Sequence, residues 1–173
     1  MTPAHQLTLN LSSRLVSLEK PLVMGIVNVT PDSFFAGSRI DGAKALRARL
    51  DTLVREGAAL ADLGAYSSRQ GAEEVSPEEE RRRLRPALQI LRDEYPNLPV
   101  SVDTFRSDVA RMAVEEYGAS MINDISGGGL DPAMYRTMAE LQVPYILMHM
   151  KGDPKPMQQQ ASYSDVTLEV IDY

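Results

Sequence analysis

Short apolar runs alternate with amphipathic stretches along this chain, and that alternation most constrains the fold. The runs are rich in β-branched or small residues and are bounded by Gly, Pro, Asn or Asp, so they are predicted to be strands. They cover Leu22–Val29, Ala58–Leu63, Leu98–Val102, Ser120–Ile122 and Val143–Met148. Strict alternation of strand and helix predicts a parallel sheet with right-handed crossovers.

The stretches between these runs are predicted to be helices, because their apolar residues recur at helical spacing. The repeating sets are Leu46, Leu50 and Leu53, then Leu84, Leu88 and Leu91, then Val109, Met112 and Ala113, and finally Met134, Met138 and Leu141. Ser76 to Glu79 forms a capping-box sequence, and Pro86 predicts a bend in the helix that follows. A fifth helix is predicted from about Ser164 to Tyr173, and Met1–Lys20 is expected to form a short hairpin.

Two α/β architectures fit this order: an open doubly wound sheet and a (β/α)8 TIM barrel. Eight βα units need roughly 250 residues, whereas this chain has 173 residues and only about five such units. We therefore expect a single domain over 1–173 that is either an open sheet or a barrel truncated on its C-terminal side. A truncated barrel would expose a strand edge.

Composition excludes several classes of protein. The chain has no cysteine, which excludes a disulfide scaffold and a thiolate site. Its net charge of −6 gives no electrostatic reason to bind nucleic acid. It shows neither an apolar run of roughly 18 residues nor a signal-peptide pattern. These features favour a cytoplasmic enzyme or binding domain with no membrane association.

Asn or Asp stands near the carboxyl end of four successive predicted strands: Asn28, Asp62, Asp103 and Asn123, the last followed by Asp124. This edge of a parallel α/β sheet is where ligands bind. Asn and Asp also terminate strands for purely local reasons, but four in succession favour a site.

Two loops and one helix add further candidates. Asn28 to Phe35 mixes hydroxyls, a carboxylate and two aromatic rings, and Tyr66 to Gly71 offers two hydroxyls and a guanidinium suited to phosphate oxygens. Either loop is also compatible with an ordinary solvated turn. The run Glu78–Arg83 is interpreted as a solvated helix face with pairs such as Glu78–Arg82. His149 and Gly127–Gly129 are interpreted as structural.

Five motifs in order resemble the signatures of the dihydropteroate synthase family. They are Met24 to Phe34 (MGIVNVTPDSF), Asp62 to Ala72 (DLGAYSSRQGA), Ser101 to Thr104 (SVDT), Ile122 to Gly127 (INDISG) and Leu147 to Met150 (LMHM). The resemblance implies a (β/α)8 barrel and a transferase of folate biosynthesis. That reaction joins hydroxymethyl-dihydropterin diphosphate to 4-aminobenzoate and releases pyrophosphate, and the C–O bond to the diphosphate breaks first.

The resemblance also implies roles for individual residues. Asn28 would hold Mg²⁺ with the diphosphate, Ser68 would bind the diphosphate, and Arg69 would order its loop over the site. Asp103 and Asn123 would bind the pterin and Met148 would pack against it. The remaining substrate-binding candidates are Asp62, Thr30 and Phe34. The expected catalytic residues are Asp103, Asn28 and Arg69, and a full-length member is expected to be a homodimer.

The chain departs from the family pattern in ways that leave alternatives open. Ala36-Gly37-Ser38 replaces Asp-Gly-Gly, and Gln70 replaces a proline. The later signatures, which carry a pterin Asp, a Lys and an Arg-x-His, do not occur in these 173 residues. We therefore expect an N-terminal fragment that is unstable or inactive alone. The alternatives are a pterin-binding module, as in corrinoid-dependent methyltransferases, and a non-catalytic half-barrel.

Overall fold

The computed structural model describes residues 7–12, 14–30, 39–66, 75–152, 157 and 159–173. An antiparallel hairpin precedes a regular βα alternation. The strands are β1 (Thr8–Leu11), β2 (Arg14–Ser17), β3 (Met24–Asn28), β4 (Leu60–Gly64), β5 (Val100–Asp103), β6 (Met121–Asp124) and β7 (Tyr145–Leu147). The helices are α1 (Arg39–Arg55), α2 (Pro77–Glu94), α3 (Ser107–Tyr117), α4 (Met134–Leu141) and α5 (Val166–Ile171).

The main sheet has five parallel strands in the order β3-β4-β5-β6-β7, which is the order of the chain. A doubly wound sheet needs a point where the strand order reverses, and this sheet has none among its described strands. The topology is therefore that of an arc of a (β/α)8 barrel. The expectation of about five βα units and of an N-terminal hairpin is confirmed.

The outer face of the sheet forms the main core. Val27, Leu63, Val102 and Ile122 are almost fully buried there and pack with apolar residues of the helices. Each large apolar side chain buried in this way contributes roughly 1.5–3 kcal/mol. The predicted helix faces are confirmed: the repeating apolar residues of α1 to α4 all join this core, with Leu141 partly buried.

The amino-terminal end of the inner face is apolar. Leu60 and Met121 are buried there against Leu11 of the hairpin. Ser12 and Ser120 share a hydrogen bond of 2.5 Å at the same end. The hairpin thus covers the amino-terminal end of the sheet and leaves its carboxyl edge uncovered.

The two edge strands remain partly exposed. The side chain of Ile26 on β3 is 61% exposed and that of Leu147 on β7 is 52% exposed. Helix α5 buries none of its residues. These surfaces agree with the exposed edges expected of an incomplete barrel. No helix within the described ranges is long and apolar enough to cross a lipid bilayer.

Three local predictions concern the helices, and the structure corrects one of them. Helix α5 begins at Val166 and ends at Ile171, because Asp165 caps its amino end and Asp172 its carboxyl end, so it does not run through Tyr173. Helix α2 continues through Pro86, and the bend predicted there stays a prediction. Ser76 caps α2 as predicted, since its side chain accepts a hydrogen bond from the Glu79 N–H at 3.2 Å.

The interpretation of Glu78–Arg83 as a wholly solvated face is wrong at Glu80. Its side chain is fully buried and forms an ion pair with Arg106, which also donates to the Val75 carbonyl at 2.6 Å. The expected Glu78–Arg82 pair is replaced by Glu78–Arg81, with Arg82 bonded to Glu79. Glu80 therefore ties α2 to the segment that follows β5.

The Glu80→Ala substitution is expected to destabilise the fold by about 3–5 kcal/mol, because it leaves Arg106 half-buried without its partner. Urea unfolding measures this loss. Glu78→Ala is the matched control on the same helix, since Glu78 is 76% exposed, and its effect is expected to be much smaller. Equal losses in the two variants would contradict the structural role of Glu80.

Candidate functional site

The strand register brings three predicted site residues into one row at the carboxyl edge. Asn28 pairs with Gly64, Gly64 with Asp103, and Asp103 with Asn123. Residues that are paired across parallel strands point to the same face of the sheet, so all three polar side chains lie on the inner face. The convergence predicted for the strand ends is therefore confirmed for Asn28, Asp103 and Asn123.

Gly64 makes this convergence sterically feasible. A Cβ atom at position 64 would lie 3.3 Å from Asn28 Oδ1 and 3.4 Å from Asp103 Oδ2. The two side chains thus lean over the glycine from both neighbouring strands. A larger residue here would push them apart.

Asp62 lies deeper in the sheet than predicted. It is the third residue of β4 rather than its end, and it pairs in register with Ser101. Its side chain is 6% exposed, and its Oδ2 accepts a hydrogen bond from Asn123 Nδ2 at 3.0 Å. Asp62 Oδ1 and Ser101 Oγ are buried without a hydrogen-bond partner among the described residues.

Asp103 has an unusual electrostatic environment. Burial raises the pKa of its carboxyl to about 7, and the negative charges of Asp62, Glu80 and Asp124 act in the same direction. A carboxyl group with this pKa exists in both protonation states near neutral pH. It can therefore either donate a hydrogen bond or carry a negative charge there.

Asp124 differs from Asp103, because its oxygens are used to organise the turn after β6. They accept hydrogen bonds from the backbone N–H groups of Ser126 and Gly128, at 2.7 and 2.8 Å, and from the Tyr145 hydroxyl at 2.5 Å. Burial, and then the bond to Asp124, raise the pKa of Tyr145. Asp124 is a structural residue of this edge.

Two aromatic rings and a half-buried cation lie beside Asp103. The rings of Tyr66 and Phe105 meet edge to face at 5.2 Å, and the Arg106 guanidinium lies 4.7 Å from the centre of the Phe105 ring. A small cavity of about 20 Å³ is lined by Tyr66, Asp103, Thr104, Phe105 and Ile125. A larger groove of about 340 Å³ lies beside the hairpin, at the opposite end of the sheet. Asn28, Asp103 and Asn123 do not line it.

The other predicted site residues are placed only in part. Met148 is half-buried directly after β7, and its N–H donates to the Asp124 carbonyl at 3.1 Å. Thr30 is half-buried two residues after β3. Ser68, Arg69 and Phe34 lie outside the described residues, so their predicted roles stay predictions. His149 packs between the rings of Tyr163 and Tyr173.

Comparison with known proteins identifies the family to which the chain belongs. The model of the family described as pterin binding enzyme matches residues 24–173, which include every strand of the parallel sheet. The chain belongs to the pterin-binding enzyme family. Asp103 and Asn123 therefore stand at the carboxyl edge of a pterin-binding fold.

Curated relatives of this pterin-binding chain include synthases of the folate pathway. It is 41% identical over 152 residues to the dihydropteroate synthase of Synechocystis sp., a match that covers 88% of the chain and 52% of that protein. It is 47% identical over 141 residues to a mitochondrial folate synthesis bifunctional protein of Pisum sativum, covering 80% of the chain and 27% of that protein.

Solved structures of dihydropteroate synthases are also similar to this chain. The dihydropteroate synthase of Xanthomonas albilineans with 4-aminobenzoic acid superimposes with a TM-score of 0.81 at 43% identity, over 95% of the chain and 57% of that protein. The dihydropteroate synthase of Yersinia pestis with a sulfonamide drug superimposes with a TM-score of 0.82 at 34% identity. The match covers 96% of the chain and 59% of that protein. The pterin-binding chain thus spans little more than half the length of these synthases.

The raised pKa of Asp103 predicts a pH-dependent stability. The unfolded carboxyl releases its proton near its usual pKa of 3.8, whereas the folded one holds it up to about 7. The folded state therefore binds more protons between pH 4 and 7, so the free energy of unfolding falls as the pH rises through that window. Asp103→Asn is expected to remove this part of the dependence.

Urea unfolding of both proteins at pH 4.5 and 7.5 checks this prediction. The loss of stability between the two pH values is expected to be larger in the unaltered chain than in Asp103→Asn. An equal loss would show that Asp103 titrates normally.

Proposed function

We propose that this chain supplies the residues that bind the pterin and the diphosphate in a dihydropteroate synthase. The reaction condenses 6-hydroxymethyl-7,8-dihydropterin diphosphate with 4-aminobenzoate to give dihydropteroate and pyrophosphate. The single observation that supports it most is the convergence of Asn28 Oδ1 and Asp103 Oδ2 over Gly64, with Asn123 next in the row. The likeness to dihydropteroate synthases supports the choice of reaction within the family.

Asp103 and Asn123 are proposed to hold the pterin. Both offer acceptors that match the N–H groups of the ring system. When the C–O bond to the diphosphate breaks, the pterin methylene becomes a cation, and a positive charge beside Asp103 favours its ionised form. A fixed carboxylate next to the developing charge then stabilises the transition state electrostatically. The arylamine nitrogen attacks the methylene carbon and afterwards loses a proton.

Asn28 is proposed to take part in holding Mg²⁺ with the diphosphate. Its carboxamide oxygen is a hard donor on an exposed side chain at the mouth of the site. Mg²⁺ is usually bound by one or two protein oxygens together with substrate phosphates and water. The ion would neutralise charge on the departing diphosphate.

Five further residues are proposed to bind substrate or to order the site. Ser68 is proposed to bind the diphosphate, Arg69 to order its loop, Thr30 and Phe34 to contact substrate, and Met148 to pack on the pterin ring. The cytoplasm is the proposed location, although two relatives are named as mitochondrial. A homodimer is proposed for the full-length protein.

Pterin binding without turnover is the second candidate function. It is favoured by the exposed strands at both edges, where Ile26 and Leu147 are 61% and 52% exposed. We propose that residues 1–173 form one pterin-binding domain that binds ligand but releases pyrophosphate slowly by itself. Pyrophosphate release with 4-aminobenzoate present, compared with that of a full-length relative, distinguishes the two candidates. Comparable turnover would refute the second candidate.

The proposal predicts that the chain binds the pterin diphosphate with Mg²⁺ and that Asp103→Asn weakens this binding by about tenfold or more, because a charged hydrogen-bond partner is lost. Isothermal titration calorimetry measures both. Asp93→Asn makes the same chemical change on the exposed surface of α2 and is expected to bind like the unaltered chain. An absence of binding heat from the unaltered chain would refute the proposal.

Asn28→Ala is expected to weaken binding of the diphosphate form by about tenfold, because an oxygen donor to the Mg²⁺–diphosphate group is lost. The affinity for 6-hydroxymethylpterin without a diphosphate is expected to stay the same. Calorimetry with both ligands at fixed Mg²⁺ concentration makes the comparison. Equal weakening for the two ligands would place Asn28 against the pterin ring instead.

A further inference from the structure

The hydrogen bond between Asp62 and Asn123 fixes how Asn123 faces the site. A carboxylate offers only acceptors, whereas a carboxamide has one donating and one accepting end. Asn123 Nδ2 donates to Asp62 Oδ2 at 3.0 Å. The amide therefore turns its nitrogen down toward β4 and leaves Oδ1 as its free end.

We propose that Asp62 is a positioning residue that holds Asn123 Oδ1 toward the ligand, so that the site selects a heterocycle presenting an N–H donor at that point. The inference rests on the proposed function and names a determinant of specificity within it. Asp62 contacts Asn123 in the structure. This positioning role is added to its expected role as a substrate-binding residue, which stays a prediction.

The position of Asp62 suits it to this task. It lies in the middle of β4, which is paired on both sides, and its side chain is 6% exposed. Its second oxygen, Oδ1, has no hydrogen-bond partner among the described residues. Asn123 thus supplies the one side-chain hydrogen bond that the described residues give this buried carboxylate. Rotating the amide would break that bond and turn an oxygen toward the carboxylate, so the arrangement has one favourable state.

This orientation discriminates between two rings of nearly equal shape. Pterin carries an amino group at position 2, which is a donor, whereas lumazine carries an oxygen there, which is an acceptor. The group that reacts is attached at the opposite end of the bicycle and must face the mouth, where the diphosphate and the amine enter. The position-2 edge then faces inward, toward Asn123 and Asp62, and an Oδ1 acceptor favours pterin.

The test compares pterin with lumazine in calorimetric titrations of the unaltered chain and of Asp62→Asn. A carboxamide at position 62 can either donate to or accept from Asn123, so the amide of Asn123 becomes free to turn. The preference for pterin over lumazine is expected to fall by about tenfold in Asp62→Asn. Ser120→Ala is the matched control, because it removes one side-chain hydrogen bond at the far end of the sheet. The preference of Ser120→Ala for pterin over lumazine is expected to equal that of the unaltered chain.

A measurement without ligand separates this inference from the proposed function. The side-chain amide protons of Asn123, observed by NMR, are expected to shift in Asp62→Asn and to remain unchanged in Ser120→Ala. An unchanged amide signal, or an unchanged pterin preference in a chain that binds pterin, would overturn the positioning role alone. If the unaltered chain binds no pterin at all, both the inference and the proposed function fall.

Discussion

The register of the parallel strands is the constraint on which the site depends. Asn28, Asp103 and Asn123 come from three different strands and are separated by 20 or more positions in the sequence. They meet because β3 to β6 are paired so that these residues share one row with Gly64. A shift of any strand by one residue would turn its polar side chain to the outer face. The buried apolar residues on that face, such as Val102, oppose such a shift.

Three acidic residues lie close together here, and their hydrogen-bond environments separate their roles. Asp124 accepts several bonds and is committed to structure. Asp62 accepts one, from Asn123, and has one oxygen left over. Asp103 is reached by no hydrogen-bond donor among the described residues, and burial raises its pKa to about 7. The acid with the fewest partners is thus the one best placed to respond to a ligand.

Much of the fold and part of the site could be predicted from the sequence. Apolar runs bounded by Gly, Pro, Asn or Asp located the strands to within a few residues. The depth of Asp62 could not be predicted, since it depends on where β4 ends. The roles of Gly64 and Glu80 were missed for a related reason: one acts by lacking a side chain, and the other pairs with Arg106 across 26 positions. Neither interaction leaves a local pattern.

The inner face also shows why a polar site can exist in this sheet at all. Buried polar atoms without partners cost stability, and Ser101 Oγ and Asp62 Oδ1 are two of them. The apolar contacts of Leu11 with Leu60 and Met121 lie directly below and seal that end of the sheet. The helices anchor the outer face of the same strands. The outer face and the amino-terminal end of the inner face are therefore both packed. The carboxyl end of the inner face can then hold polar groups that gain partners only when a ligand binds.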